Sequence, residues 1–281
     1  MNIQWYPGHM TKTKKLIAQN ISLVDVVIEL LDARIPSSGR NPDIDVLCAG
    51  KKRIVVLNKA DLADEGLNIL WKNYYADLGF ETLLADSVSG KGLSDAVKAA
   101  ESLMAEKIAV QKAKGRINVT IRAMIVGIPN VGKSTFINKT AGRSIAKTAD
   151  KPGVTKTKQW IKVKNGFELM DTPGILWPKF DDEAAGIKLA ATGAIRDEIL
   201  DIYTLSLRLI EIISQIKPEA LKERYKIEIV KEDTADVILE KIARKRGFIK
   251  KGAEADCERA AITVVDEFRS AKIGRITLEK P

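Results

Sequence analysis

Short β-branched and aliphatic runs alternate with longer amphipathic segments along the first part of the chain. That rhythm predicts an α/β domain on a mainly parallel sheet. Strands are predicted at 24–31, 53–57, 81–85, 123–126, 160–164 and 167–170, and helices at 11–20, 65–78, 93–111 and 133–140. The last two strand runs are separated by Asn165-Gly166, a hairpin signal, so one antiparallel pair is expected beside the parallel set.

Past Trp177-Pro178 the period changes. Ile202, Leu205, Leu209, Ile212 and Ile216 recur three and four apart, as do Ala235, Ile238 and Ile242, and Ala261, Val264, Val265 and Phe268 form another helical stripe. The expected organisation is therefore an α/β domain over 1–178 followed by a small all-helical domain over 179–281. No internal repeat or low-complexity segment is visible, and from Gly274 onward the pattern predicts no element.

Composition narrows the class. With 45% hydrophobic and 30% charged residues, the 281-residue chain is globular rather than disordered. The longest apolar stretch, 21–31, is broken by Asp25 and Glu29 and falls well short of the roughly 18 apolar residues of a membrane span. The first ten residues lack the apolar core of a secretory leader. A cytoplasmic protein with no membrane part is expected. Cys48 and Cys257 are far apart and neither lies near the sole histidine, His9, so both are read as reduced, packed thiols rather than a zinc site or disulfide. The net charge of +9 suits a polyanionic partner without choosing which.

The chemistry is carried by four segments. Gly127-Ile128-Pro129-Asn130-Val131-Gly132-Lys133-Ser134 fits the P-loop pattern, with a strand before it and a helix after it. Its glycines let consecutive N–H groups, including those of Val131, Gly132, Lys133, Ser134 and Thr135, face phosphate oxygens at a helix N-terminus. Lys133 is expected to reach the β and γ phosphates and Ser134 to ligate Mg²⁺. Asp171-Thr172-Pro173-Gly174 ends a strand, where Asp171 can hold Mg²⁺ through water and the Gly174 N–H can meet the γ-phosphate.

Asn58-Lys59-Ala60-Asp61 closes another strand. The Asp61 carboxylate can accept from guanine N1–H and the exocyclic amine, whereas adenine would leave it unpaired, at a cost of about 1–3 kcal/mol or more. Asn58 would tie the base edge to the loop and the Lys59 stem would lie along the purine. Asp86-Ser87-Val88-Ser89-Gly90 adds a backbone N–H, placed at Ser87, for guanine O6. In conventional GTPases the P-loop precedes the base-reading segment; here the order is reversed. The domain is thus expected to be a circularly permuted P-loop GTPase that binds GTP and GDP.

The permuted order, with Trp5-Tyr6-Pro7-Gly8-His9-Met10, Asp32-Ala33-Arg34-Ile35-Pro36 and Asp171-Thr172-Pro173-Gly174-Ile175-Leu176-Trp177-Pro178, resembles the bacterial ribosome biogenesis GTPase A family, also called the YlqF family. The resemblance spans nearly the whole chain. It implies a protein that binds the maturing large ribosomal subunit, through rRNA and ribosomal proteins, hydrolyses GTP there and is released. It also implies that Thr155, in Pro152-Gly153-Val154-Thr155, is the switch I ligand of Mg²⁺, with Thr157 as a substitute. Asn130 resembles the asparagine that helps hold K⁺ in potassium-activated GTPases; a turn-stabilising asparagine is the other reading.

Ras-type enzymes place a glutamine after D-x-x-G to orient water, but Ile175 stands there. The resemblance points instead to His9 as a catalytic group, alongside Lys133 and Thr155; the alternative is that residues 5–10 form a packed or RNA-facing segment. Lys241-Ile242-Ala243-Arg244-Lys245-Arg246-Gly247-Phe248-Ile249-Lys250-Lys251, with Lys12, Lys14 and Lys15, is read as an rRNA phosphate contact rather than only a solvated helix end. A free monomer is expected. The competing class is a GTP-regulated rRNA-binding scaffold with negligible turnover, which Ile175 admits. A permuted GTPase of small-subunit maturation is set aside: the segment before Asn58 is too short for an OB-fold, and the Cys and His content cannot build its zinc module.

Overall fold

The structure, a computed structural model, describes residues 9–142, 159–164, 166–176 and 183–281; the side chains of His9, Met10 and Gln159 are not included. Helix α1 (His9–Asn20) leads to β1 (Val26–Asp32), the short α2 (Asp43–Leu47) to β2 (Lys52–Asn58), and α3 (Glu65–Asp77) to β3 (Glu81–Leu84). Then come α4 (Leu93–Leu103), α5 (Ala105–Ala113), β4 (Ile121–Val126), α6 (Lys133–Ala141), β5 (Gln159–Lys164) and β6 (Phe167–Asp171). The rest is helical: α7 (Glu183–Ala191), α8 (Ile202–Ile216), α9 (Pro218–Tyr225), α10 (Ala235–Lys245) and α11 (Cys257–Arg269).

Among the described residues the strands form one sheet in the order β3-β2-β1-β4-β6-β5, with only β5 antiparallel to its neighbour. Alternation along each strand divides the core, because successive side chains leave opposite faces. Val26, Ile28 and Leu30 of β1 join Ala123 and Ile125 of β4 on one face, with Ala96 and Ala100 of α4 and Phe136 of α6. On the other face Val27, Met124 and Met170 pack with Ile17 of α1 and Ile44 of α2, while Val55 and Leu57 pack with Trp71 and Tyr75 of α3. The first cluster continues without a break through Leu176 into Leu189, Leu205, Leu209, Val264 and Phe268.

One sequence expectation needs correction. The helix at 93–111 is two helices, because buried Met104 takes a non-helical turn between α4 and α5. Both cysteines are free, Cys48 buried and Cys257 partly buried against the main core cluster. The tail after Gly274 forms no helix or strand, and it packs onto the rest of the chain: Ile276 and Leu278 are buried, the Leu278 N–H donates to Arg34 O at 2.8 Å, and Trp71 Nε1 donates to Glu279 O at 3.3 Å. Residues 177–182, where the expected domain boundary falls, lie outside the described residues.

The parallel strands fix where chemistry can gather. Segments that follow β1, β2, β3, β4 and β6 all emerge at the same sheet edge, where ligands of open α/β sheets bind. Asp32, Asn58, Asp86, Gly127 and Asp171 therefore stand side by side despite their separation in sequence.

Candidate nucleotide-binding site

A cleft of about 460 Å³ opens at that edge, lined by Asn58, Lys59 and Asp61, by Asp86, Ser87 and Val88, and by Asn130, Gly132 and Thr135. The base-reading loop and the P-loop are also bonded to each other. Asn58 Nδ2 donates to Val131 O at 2.7 Å, and Lys59 Nζ donates to Asn130 O at 2.7 Å. Both Lys59 (φ +59°) and Asn130 (φ +56°) sit in the left-handed region, which non-glycine residues occupy only under local constraint. Gly132 has φ +100°, and a Cβ there would meet Asn58 Nδ2 at 2.5 Å. Glycine is required for both reasons.

Ser87 differs from expectation. Its N–H and Oγ both donate to Asn58 Oδ1, at 3.1 and 2.7 Å, so the donor assigned to guanine O6 is engaged in holding Asn58. The next two N–H groups, of Val88 and Ser89, go to Asp86 Oδ1. Asp61 lies exposed at the rim, where partial burial and the neighbouring Asp86 push its carboxyl up.

The phosphate end is equally defined. Lys133 is buried, with Nζ donating to Gly127 O at 3.1 Å and Ile128 O at 2.7 Å. Burial pulls its ammonium down to about 8, with Asp171 opposing and Lys59 adding to the shift. Ser134 lies in the first turn of α6 and its Oγ donates to Asp171 Oδ2 at 3.3 Å. Thr172 Oγ1 donates to Ile125 O at 2.6 Å, and Gly174 lies so close to the P-loop that a Cβ would meet Pro129 Cα at 2.6 Å. Ile175 is buried and its N–H donates to Gly127 O at 3.2 Å. Thr155, Thr157 and the His9 side chain lie outside the described residues.

Sequence reading did not foresee that the helical part would supply four lining residues. Thr192, Asp197, Asp266 and Arg269 come from the helical part and complete the cleft with Arg34. No local motif marks them; only tertiary packing carries them to the cleft. The basic run at 241–251 is partly neutralised: Lys241 pairs with Asp233 at 2.5 Å, Arg244 with Glu240 at 2.7 Å, Arg246 with Glu267 at 3.0 Å and Lys250 with Asp256 at 3.7 Å. Lys245 and Lys251 are exposed.

A family model described as 50S ribosome-binding GTPase matches residues 122–267. Ribosome biogenesis GTPase A of Bacillus licheniformis is 45% identical over 281 residues, covering 100% of this chain and 99% of that protein. The chain belongs to the ribosome biogenesis GTPase A family. A Thermotoga maritima member of this family is 32% identical over 279 residues, covering 99% of this chain and 95% of its own. A solved structure of GDP-bound YlqF matches with a TM-score of 0.69 at 29% identity, over 95% of this chain and 99% of that one. GNP-bound YlqF from T. maritima matches with a TM-score of 0.66 at 30% identity, over 96% and 98%. As a member of the ribosome biogenesis GTPase A family, the chain is a GTPase that binds guanine nucleotide.

Proposed function

We propose that the protein is a cytoplasmic assembly factor of the large ribosomal subunit that hydrolyses GTP when the maturing particle engages it. The observation that carries this reading is one cleft lined both by Asn58, Lys59 and Asp61 of the base-reading loop and by Asn130, Gly132 and Thr135 of the P-loop. The names of the relatives at 45% and 32% identity supply the ribosomal context.

Within this reading Asp61 selects guanine, Asn58 and Lys59 brace the base against the P-loop, and Ser87 holds Asn58 in place. The N–H groups from Asn130 to Thr135 cradle the phosphates, and Gly174 faces the γ-phosphate. Lys133 leaves the carbonyls of Gly127 and Ile128 for the β and γ phosphates. The oxygen donors Ser134 and Asp171, 3.3 Å apart, suit a hard cation, and Ser134 and Thr155 would hold Mg²⁺ with Asp171 behind them. When bound, Mg²⁺ neutralises charge developing on the phosphoryl oxygens. Asn130 is the residue assigned to K⁺.

Ile175 is aliphatic and buried, so it does not orient the attacking water. The catalytic group must come from another segment, and His9 is the residue assigned to it, brought in by the particle. Exposed Lys245 and Lys251, with Lys12 and Lys15, are the residues assigned to rRNA phosphates.

The test is GTP turnover by the full chain with and without large-subunit particles, and with small subunits as control. Turnover should be on the order of 10⁻⁴ to 10⁻² s⁻¹ alone and rise severalfold or more with large subunits only. His9→Ala should keep GTP binding and lose the stimulation. Equal rates with and without particles would favour the scaffold reading, and normal stimulation of His9→Ala would remove His9 from the mechanism.

A further inference from the structure

One wall of the cleft belongs to the helical part of the chain, and a buried ion pair joins that wall to the base-reading loop. Arg34 is 1% exposed and grips Asp32 through both arms, Nε to Oδ1 at 2.9 Å and Nη2 to Oδ2 at 2.7 Å. The same carboxylate takes Lys59 Nζ at 3.2 Å, and Lys59 Nζ also donates to the P-loop at Asn130 O. The remaining nitrogen of Arg34, Nη1, donates to Arg269 O at 3.2 Å, and its guanidinium carbon lies 5.6 Å from the centre of the Phe268 ring.

The far side of Arg34 is thus fastened to the end of α11. The Arg269 side chain continues the connection, donating to Ala190 O at 3.0 Å and Ala191 O at 3.1 Å and pairing with Asp197 at 2.7 Å. Gly193, just past α7, is packed so that a Cβ would come within 3.1 Å of Asn130 Nδ2 and 3.6 Å of Arg269 Nε. The helical wall therefore meets the P-loop and the Lys59 loop together. Against burial, which pushes it up, Arg34 and Lys59 hold the Asp32 carboxyl far below the usual carboxylate range. A carboxylate this deeply buried needs both cations, and displacing one alters the hold on the other. Arg also presents a rigid planar fork that lysine cannot reproduce.

We propose that Arg34 is a positioning residue for nucleotide binding: through Asp32 it holds Lys59 in its purine-meeting conformation, so docking of the α11 wall and nucleotide affinity are coupled. This rests on the nucleotide reading of the cleft. The coupling is reciprocal, so bound nucleotide tightens the wall, and a partner that draws α11 away loosens the nucleotide.

The experiment is release of N-methylanthraniloyl-GDP from the full chain, compared among wild type, Arg34→Lys, Lys59→Met and the double variant. Each single change should speed release by about tenfold, and the double should be little faster than the faster single, because both act through one carboxylate. Wild-type release from Arg34→Lys, or effects that simply multiply, would overturn the proposal. Hydrogen exchange of the wild type gives an arm that needs no variant to fold. The amides of Ile276 and Leu278, bonded to Leu62 O and Arg34 O, should exchange more slowly with GDP bound. Unchanged exchange there, with the P-loop amides protected, contradicts the coupling. A wild type that holds no GDP would bring down the nucleotide reading itself, whereas tight GDP binding with an indifferent Arg34 removes this inference alone.

Discussion

Lys133 is a buried cation whose Nζ donates to two carbonyl oxygens, Gly127 O and Ile128 O. Burial lowers its pKa to about 8, against about 10.4 for an unperturbed lysine. A lowered cation destabilises the fold below the folded pKa. The unfolded chain binds more protons between about pH 8 and 10.4, so the stability contributed by this group rises with pH across that window. Ligand binding has the opposite sign. A polyphosphate holds Lys133 charged, so above about pH 8 binding must take up a proton and affinity falls, by up to about tenfold per pH unit. GDP titrations between about pH 7 and 9 should show this slope in the wild type and not in Lys133→Met. A flat wild-type profile would show that Lys133 does not carry the phosphate contact.

At the scale of elements, the P-loop turn is built around Gly132. Its φ of +100° and the 2.5 Å approach of Asn58 Nδ2 both exclude a side chain. Gly132→Ala should cost about 1–3 kcal/mol in unfolding free energy and abolish GDP binding. Denaturant melts and nucleotide titration read the two effects, and retained binding would show that the turn tolerates a Cβ. The same scale shows what was legible in the sequence. Each strand has its own apolar run and each motif closes a strand, so the strand positions and the P-loop could be read from local pattern. The break at Met104 could not, because Leu103, Met104 and Ile108 continue an apolar stripe through it. Helix α2 has five residues, too few to show a period. Arg269 and Asp266 reach the cleft only because α11 packs on α7 and α8, and a single sequence contains no signal for that.

Across the whole molecule, the tail ties the two parts of the chain together. The Glu279 carboxylate accepts from the Ser37 N–H at 2.7 Å and from the Ser38 N–H and hydroxyl, and pairs with Lys188 of α7 at 3.2 Å. Thr277 Oγ1 accepts from the Asp64 N–H at 3.1 Å and donates to Ala33 O at 3.3 Å. Glu279→Ala removes a buried carboxylate and its charge-assisted hydrogen bonds to Ser37, Ser38 and Lys188, and should cost about 2–3 kcal/mol, or several degrees in Tm. Because one apolar cluster runs from the sheet into the helical part, that loss should appear in a single thermal transition. Two separated transitions would show that the parts unfold independently.

Everything proposed for the site depends on distant segments of a permuted chain meeting on one guanine nucleotide, with Asp61 as the group that recognises the base. The most direct measurement is calorimetric titration of wild type and Asp61→Asn with GDP, ADP and xanthosine diphosphate. Xanthine carries a carbonyl where guanine carries its amine, so an asparagine amide pairs with it where a carboxylate cannot. The wild type should prefer GDP over ADP by about 10³-fold or more, and Asp61→Asn should lose GDP and gain xanthosine diphosphate. Equal affinity of the wild type for ADP and GDP, or unchanged GDP binding by Asp61→Asn, would contradict the account.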